Sequence, residues 1–247
     1  MDLTILVSDL QIPWHHRKAC DALLGMIADK RRDITSVFQI GDFYEFEAVS
    51  RWASGTARED GRTLQRELSL SEAFLTGFAN AYPSTKYRIR GNHDDRLSKY
   101  LGTAAKGLNG LDVLEYDTFT KAKAFGWETV AQPFHLAPGT TAVHGLCVRS
   151  KAGYTAHSHL DKVEGNVVHG HTHRAATVYR TLGDTVRWAM EIGCLADRKQ
   201  APYGVGGLFD WQLAFGALWI DGKDVWPQLI DIKVDGSFFF DGRRYRP

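Results

Sequence analysis

The sequence has few cysteines, no long apolar run and almost no net charge, and each of these features excludes a class of protein. Cys20, Cys147 and Cys194 lie far apart and form no CxxC pair. This spacing argues against a disulfide framework and against a thiolate zinc site. No apolar run approaches the roughly 18 residues of a membrane span, and no signal-like segment precedes the first strand-like residues. We therefore expect a cytoplasmic protein with no membrane partner.

The charged residues balance almost completely. The 30 basic and 29 acidic side chains leave a formal net charge of +1, so bulk charge gives no argument for a polyanionic partner. Any binding of nucleic acid would have to be local. With 44% hydrophobic residues among 247, and no repeat or low-complexity tract, the chain has the composition of an ordinary globular protein. We predict a single domain over residues 1–247.

The first half of the chain alternates strand-like and helical segments. Apolar runs typical of buried strands lie at 3–8, 36–40 and 86–89, and helical spacing of apolar residues lies at 17–30 and 62–82. This order predicts parallel βαβ units, in which polar residues just past the strands collect at one edge of the sheet. Asp9, Asp42 and Asn92 follow the three runs.

The second half is richer in short β-type runs separated by Gly and Asp turns. These runs lie at 140–143, 165–169, 177–180, 217–220 and 225–232. We predict that they build the second sheet of an α/β sandwich. Residues 101–133 would form flanking helices and loops, and residues 242–247 a short basic tail.

Five short segments carry a high density of metal-ligand residue types. They are Asp9-Leu10-Gln11, Gly41-Asp42, Gly91-Asn92-His93-Asp94, His144-Gly145 and Gly170-His171-Thr172-His173. Each is a weak signal alone, because a Gly-Asp after a strand is commonly a turn and a single His is commonly structural. A mixed shell of imidazole, amide and carboxylate groups, with no thiolate, nevertheless suits a catalytic divalent ion better than a structural zinc.

In this order the five segments resemble the signature of the calcineurin-like metallophosphoesterase superfamily: DxH, GD, GNH followed by Asp or Glu, a single His, and GHxH. The resemblance spans residues 9–173, and four segments match at every defining position. Gln11 departs from the signature, because the superfamily has His at this position. The segment Asp9-Leu10-Gln11-Ile12-Pro13 resembles a variant of the motif in phage-encoded and related bacterial members. The resemblance implies an α/β fold, the calcineurin-like sandwich of two mixed β-sheets flanked by helices in four layers, α/β/β/α.

The resemblance also implies a dinuclear site. One ion would take Asp9, Gln11 and His173, the other Asn92, His144 and His171, and Asp42 would bridge them. We expect two divalent ions, Mn²⁺ first, with Ni²⁺, Zn²⁺, Fe²⁺ and Mg²⁺ as alternatives. Gln11 supports this order, because an amide oxygen in place of an imidazole nitrogen is better suited to a harder ion than to zinc.

Two residues of the third segment are candidates for catalysis. His93 follows a ligand and can face the substrate, and the superfamily assigns this His to leaving-group protonation or to transition-state stabilisation. For Asp94 two interpretations remain open. It either orients His93 or caps the helix that begins near Asp95.

The resemblance implies a phosphodiesterase or phosphomonoesterase that hydrolyses a phosphoester by in-line attack of a hydroxide bridging the two metals. A DNA nuclease similar to the double-strand-break repair exonucleases is an alternative, favoured by the basic ending Arg243, Arg244 and Arg246. An inactive metal-binding scaffold is another, suggested by Gln11. The substrate could therefore be a nucleotide, a nucleic acid, a phosphoprotein or a small phosphoester, and the sequence predicts no oligomeric state.

Aromatic residues cluster after the first two metal-binding segments. They are Trp14, Phe43, Tyr44, Phe46 and Trp52. Such rings either stack on a nucleobase or another flat leaving group, or simply belong to the core.

Overall fold

The computed structural model describes residues 1–51, 63–201 and 209–247, and its first sheet has six strands. In chain order these are β1 (Asp2–Val7), β2 (Ile34–Ile40), β3 (Lys86–Ile89), β4 (Trp127–Thr129), β10 (Ala214–Asp221) and β11 (Asp224–Asp231). The spatial order is β11-β10-β1-β2-β3-β4, with β1 to β4 parallel and β10 and β11 antiparallel. The three strands predicted in the first half are confirmed, with bounds that differ by at most two residues.

The prediction for residues 217–220 and 225–232 was wrong in one respect. Both runs are strands, but they join the first sheet, where β10 pairs with β1 so that Ile5 lies opposite Ala217. An apolar alternation identifies a strand and its buried face, whereas the choice of partner sheet depends on contacts that local spacing does not contain. The three-residue strand β4, within the segment predicted as helices and loops, was also missed.

Five strands build the second sheet. They are β5 (Phe134–Ala137), β6 (Thr140–Val143), β7 (Asn166–His169), β8 (Ala175–Leu182) and β9 (Thr185–Ile192), in the spatial order β5-β6-β7-β9-β8. The central strands β6, β7 and β9 are parallel, and the two outer strands are antiparallel to their neighbours. Both large sheets are therefore mixed, as predicted.

Helices cover the outer faces of the two sheets. They are α1 (Arg17–Asp29), α2 (Leu64–Ala81), α3 (Arg96–Thr103), α4 (Tyr116–Thr120) and α5 (Tyr154–Leu160). The helices α1 and α2 pack against the first sheet in one apolar cluster, and α5 packs against the second sheet in another. In the described part of the chain, no helix combines the length and apolarity that a membrane crossing requires.

Alternation along β1 shows how the layers are held. Ile5 and Val7 belong to the cluster shared with α1 and α2, whereas Leu6 lies between the sheets with residues such as Phe38 and Val168. All five side chains are at most 1% exposed. Burying such a side chain contributes about 1.5–3 kcal/mol. The two faces of β1 therefore hold three layers together, and with α5 the fold is the predicted α/β/β/α sandwich.

The predicted basic tail is a hairpin instead. Strands β12 (Phe238–Phe240) and β13 (Arg243–Tyr245) pair antiparallel, and Tyr245 is buried with its hydroxyl donating to Asp29 Oδ2 at 2.7 Å. Arg243 also donates to Asp29, at 2.8 Å. Because this segment is a paired strand and Arg243 is bound to Asp29, it supports nucleic-acid binding less than the free basic tail expected from the sequence would.

The aromatic cluster is core where the structure describes it. Phe43, Tyr44 and Phe46 are 0% exposed and Trp14 is 7% exposed. Within this core Tyr44 contacts Phe43 at 4.9 Å and lies parallel to Phe46 at 5.0 Å between ring centroids. Trp52 lies outside the described residues.

Helix α2 carries one carboxylate, Glu67, into the core, where Oε1 accepts from Ala48 N at 3.1 Å. Burial raises the pKa of Glu67 to about 7, from 4.5 for an exposed glutamate. The unfolded chain therefore releases this proton near pH 4.5 and the folded chain near pH 7. The free energy of unfolding therefore falls as the pH rises from 4.5 to 7. Above pH 7 it stays lower by roughly 3 kcal/mol, because each pKa unit corresponds to about 1.36 kcal/mol.

Glu67→Gln keeps the acceptor for Ala48 N and removes the titration. We expect the variant to match the wild type in urea unfolding at pH 4.5, and to exceed it by about 2–3 kcal/mol at pH 8. The exposed Glu164→Gln is the matched control and should follow the wild type at both values. An equal pH dependence in Glu67→Gln and the wild type would contradict this account.

Candidate metal centre

The predicted ligands lie where parallel strands of both sheets end. Asp9, Asp42 and Asn92 follow β1, β2 and β3 of the first sheet, and His144 and His171 follow β6 and β7 of the second. Since the sheets face each other, these loops meet at one edge of the sandwich. Gly170 N donates to His144 O at 3.0 Å and Asp9 N donates to Gly41 O at 3.1 Å, which ties neighbouring loops together.

Several ligand residues have left-handed backbone conformations. The φ angle is +49° at Asp9, +47° at Gln11, +54° at Asp42, +72° at His171 and +61° at His173. Such φ values are uncommon for residues other than glycine and cost of order 1–3 kcal/mol in unfavourable cases. These five residues are predicted ligands at the same edge of the sandwich. Backbone strain concentrated in them indicates a functional constraint on these loops.

The glycines of the motifs leave space for the ligands. A Cβ atom on Gly91 would lie 2.0 Å from Asp42 Oδ1, and one on Gly41 would lie 2.2 Å from His144 Nδ1. On Gly170 it would lie 1.9 Å from Ser8 Oγ. The motif glycines are therefore required by the close approach of the loops, which accounts for their place beside the ligands.

One group of ligands surrounds Asp42. His144 Nε2 lies 3.1 Å from Asp42 Oδ2 and 3.2 Å from Asn92 Oδ1, while His144 Nδ1 donates to Ile40 O at 2.9 Å. One ligand atom from each of Asp42, His144 and His171 lies within 4.8 Å of the others. The Ile40 carbonyl fixes the tautomer of His144, so that the neutral ring turns its Nε2 lone pair towards two oxygen acceptors.

This arrangement fits a cation. Burial alone would lower the pKa of His144, but the carboxylates of Asp42 and Asp9 and the Ile40 carbonyl together raise that pKa to about 10. The contact with His144, with that of His93, lowers the pKa of Asp42 although burial opposes this. A proton at His144 Nε2 thus relieves the repulsion between electron-rich atoms, and a divalent ion among Asp42, Asn92, His144 and His171 would relieve it more fully.

A second group surrounds Asp9. Its Oδ1 atom is buried, lies 3.1 Å from His173 Nε2 and accepts no hydrogen bond, while Oδ2 accepts from His171 N at 2.9 Å. The side-chain amide of Gln11 approaches His173 Nε2 to 3.2 Å. A cation between Asp9 Oδ1 and His173 Nε2 would satisfy both atoms, and the Gln11 amide can turn its oxygen to the same place. The structure therefore brings all seven predicted ligands into two adjoining groups.

His93 is held by a carboxylate that the sequence analysis missed. Its Nδ1 donates to Glu45 Oε2 at 2.7 Å, and its backbone N donates to Asp42 Oδ1 at 2.8 Å. Burial would lower the pKa of His93, but the carboxylates of Asp42 and Glu45 raise it. Arg96 binds the other oxygen of Glu45 and donates to its main-chain carbonyl at 2.7 Å. The imidazole is thereby fixed with Nε2 3.8 Å from Asp42 Oδ2.

Neither interpretation of Asp94 matches its position. Its buried carboxylate accepts from the backbone N of Gly91 at 2.8 Å, of Tyr44 at 3.1 Å and of Phe43 at 3.3 Å. The N-cap of α3 is Asp95, and Glu45 contacts His93 where Asp94 was expected to. Asp94 instead ties the loop after β2 to the loop after β3, and so positions Asp42 and Asn92 relative to each other.

Glu45 could have been found from the sequence. It is a carboxylate inside the aromatic run of residues 43–46, and a charge within an apolar run needs a buried partner. His169 is the last residue of β7, directly before the last motif, and its ring stacks on His159 at 4.2 Å between ring centroids.

A cavity of about 970 Å³ opens beside Asn92. Its lining includes Arg96, Lys99 and Tyr100 of α3 together with Arg51, and Asn92 is the predicted ligand that it contains.

Two phage proteins are similar to this chain over nearly its whole length. The chain is 32% identical over 249 residues to the Gene 54 protein of Mycobacterium phage L5, an alignment that covers 97% of this chain and 96% of the relative. It is also 32% identical over 248 residues to the Gene 54 protein of Mycobacterium phage D29, covering 96% of each. No family model matches the chain.

A solved structure shares the fold. Vacuolar protein sorting 29 from Cryptosporidium parvum superposes with a TM-score of 0.51 at 14% identity, over 100% of this chain and 95% of that one. A metallophosphoesterase from Sphaerobacter thermophilus gives a TM-score of 0.45 at 13% identity, over 92% and 87%. The predicted calcineurin-like sandwich is confirmed, and the identity to the phage proteins over nearly the whole chain gives the family. The chain belongs to the family of the Gene 54 proteins of Mycobacterium phages L5 and D29.

Proposed function

We propose that this protein is a dinuclear metal-dependent phosphoesterase. The observation that carries the proposal is the pair of ligand groups at one edge of the sandwich, in which a buried carboxylate oxygen lies 3.1 Å from an imidazole nitrogen, at Asp42 with His144 and at Asp9 with His173. One ion would be held by Asp9, Gln11 and His173, the other by Asn92, His144 and His171, and Asp42 would be shared. The fold supports the same class of enzyme.

The chain's own residues would position and protonate the substrate. When bound, the two ions would neutralise phosphate oxygens and lower the pKa of a shared water, so that hydrolysis proceeds near neutral pH. His93 lies beside this site with its Nδ1 held by Glu45, and the carboxylates of Asp42 and Glu45 raise its pKa and favour the imidazolium, whose Nε2 would pass a proton to the leaving oxygen. The Glu45–His93 pair places a fixed imidazole beside the ligand group around Asp42, which supports an active enzyme.

The proposal is tested by hydrolysis of bis-p-nitrophenyl phosphate and p-nitrophenyl phosphate by metal-stripped protein, with single divalent metals added back. We expect no turnover without metal and the highest turnover with Mn²⁺, because Gln11 supplies an amide oxygen in place of an imidazole. The preferred ester distinguishes a diesterase from a monoesterase. Absence of turnover with every metal, on both esters, would contradict the proposal.

Gln11→His is the matched variant for the metal preference. It restores a nitrogen ligand beside Asp9 and His173, and should shift the optimum from Mn²⁺ towards Zn²⁺ while leaving the need for metal intact. An unchanged order of metals in this variant would show that Gln11 does not set the preference.

A further inference from the structure

A second cavity, of about 580 Å³, lies next to the metal centre on the side of His173. Trp211 lines this pocket and packs edge-on against the His173 ring, with 4.0 Å between ring centroids. Gln212, also in the wall, donates from its backbone N to His173 O at 2.9 Å. The pocket therefore shares a wall with the loop that holds a predicted ligand, whereas the cavity beside Asn92 lies on the side of the other ligand group.

The pocket is strongly basic although the chain is almost neutral. Its lining includes five cationic side chains, Arg17, Lys18, Arg198, Lys199 and Lys233, against two acidic ones, Asp197 and Asp231. Within residues 1–51, 63–201 and 209–247, none of the five cations lies within ion-pair distance of a carboxylate. The Asp197 carboxylate instead accepts from Lys199 N and from Gln200 Nε2.

The pocket lining also contains apolar side chains. Cys194 and Ile232 are 1% and 6% exposed, and Leu213 and Trp211 lie beside them in the lining. A small inorganic anion has no apolar surface that could pack against these side chains. A nucleotide does, because its base has a flat apolar face that stacks on aromatic and aliphatic side chains, while its phosphates bind Lys and Arg.

We propose that this pocket binds a nucleotide unit of a nucleic-acid strand whose neighbouring phosphodiester lies at the metal centre. The substrate class would then be single-stranded nucleic acid, since a base must leave its stack to enter a pocket. The strand would continue into the basic cavity lined by Arg51 and Lys99. The placement of the scissile phosphate rests on the proposed function, but binding of the strand does not.

The test measures binding of a fluorescein-labelled ten-residue oligothymidylate in EDTA, where no hydrolysis occurs, over a series of salt concentrations. Lys199→Glu/Lys233→Glu should bind about tenfold more weakly than the wild type at 50 mM salt. Its slope of log K against log salt should fall by about 1.4, which is about 0.7 for each phosphate that the variant no longer neutralises. The control Lys162→Glu/Lys223→Glu makes the same charge change at exposed lysines outside both cavities, and should keep the wild-type slope.

Three outcomes would overturn the inference. The wild type could fail to bind the oligonucleotide at low salt, or both double variants could lose affinity equally. Inorganic phosphate could also displace the oligonucleotide as well as thymidine 3′,5′-bisphosphate does, which would exclude a site for the base. Thermal unfolding shows whether each variant is folded, and hydrolysis of bis-p-nitrophenyl phosphate by the wild type tests the proposed function separately.

Discussion

Asp42→Asn is expected to lower kcat for the preferred ester by at least about 10³, because metal ions contribute several kcal/mol to the transition state and about 4 kcal/mol corresponds to that factor. Asparagine can still accept from His93 N, so the loop is retained. It carries no charge, and the repulsion that makes the site favour cations is reduced. Metal analysis of the folded variant should find fewer than two ions per chain.

The control for Asp42→Asn is Asp21→Asn, an exposed position on α1. It should retain both the rate and the metal content of the wild type. If Asp42→Asn kept wild-type turnover, Asp42 would not be shared by two ions and the proposed function would lose its main support.

His93→Gln is expected to lower kcat by about 10² to 10⁴, the range for loss of a general acid. The loss should be larger for an ester with an alkyl leaving group than for one with p-nitrophenol, since p-nitrophenolate leaves without a proton. Metal content should stay near that of the wild type, because His93 contacts Asp42 through its backbone N, which the substitution keeps.

The exposed His135→Gln on β5 is the matched control. The comparison of leaving groups separates proton donation from a structural effect. Equal losses on both esters would show that His93 stabilises the phosphate or the loop rather than the leaving oxygen.

The ligand segments could be predicted from the sequence because each depends on local order. A polar residue directly after a strand is placed by the strand itself, and parallel strands deliver such residues to one edge. Asp9, Asp42, Asn92, His144 and His171 follow this rule. Gln11 and His173 lie in left-handed turns further from the strand ends, so this rule does not place them. Only the spacing of the motifs indicated that they are ligands.

The residues that organise the site depend on contacts between distant segments. Glu45 binds His93 across 48 residues, and Asp94 bonds to Tyr44 across 50. A local pattern favours the nearest partner, which is why Asp94 was paired with its neighbour His93. The partner of β10 is likewise set by β1, more than 200 residues away in the chain.

The pairing of β1 with β10 has a consequence for synthesis on the ribosome. β1 lies between β2 and β10, so the strand that delivers Asp9 completes its hydrogen bonds only after residues 214–221 have left the exit tunnel. Nascent chains that already contain every predicted ligand from Asp9 to His173 would still lack β10, which pairs with β1 and contributes apolar side chains to the core. The candidate metal centre would therefore be assembled late, and we expect prematurely terminated products to be inactive although all seven predicted ligands are present.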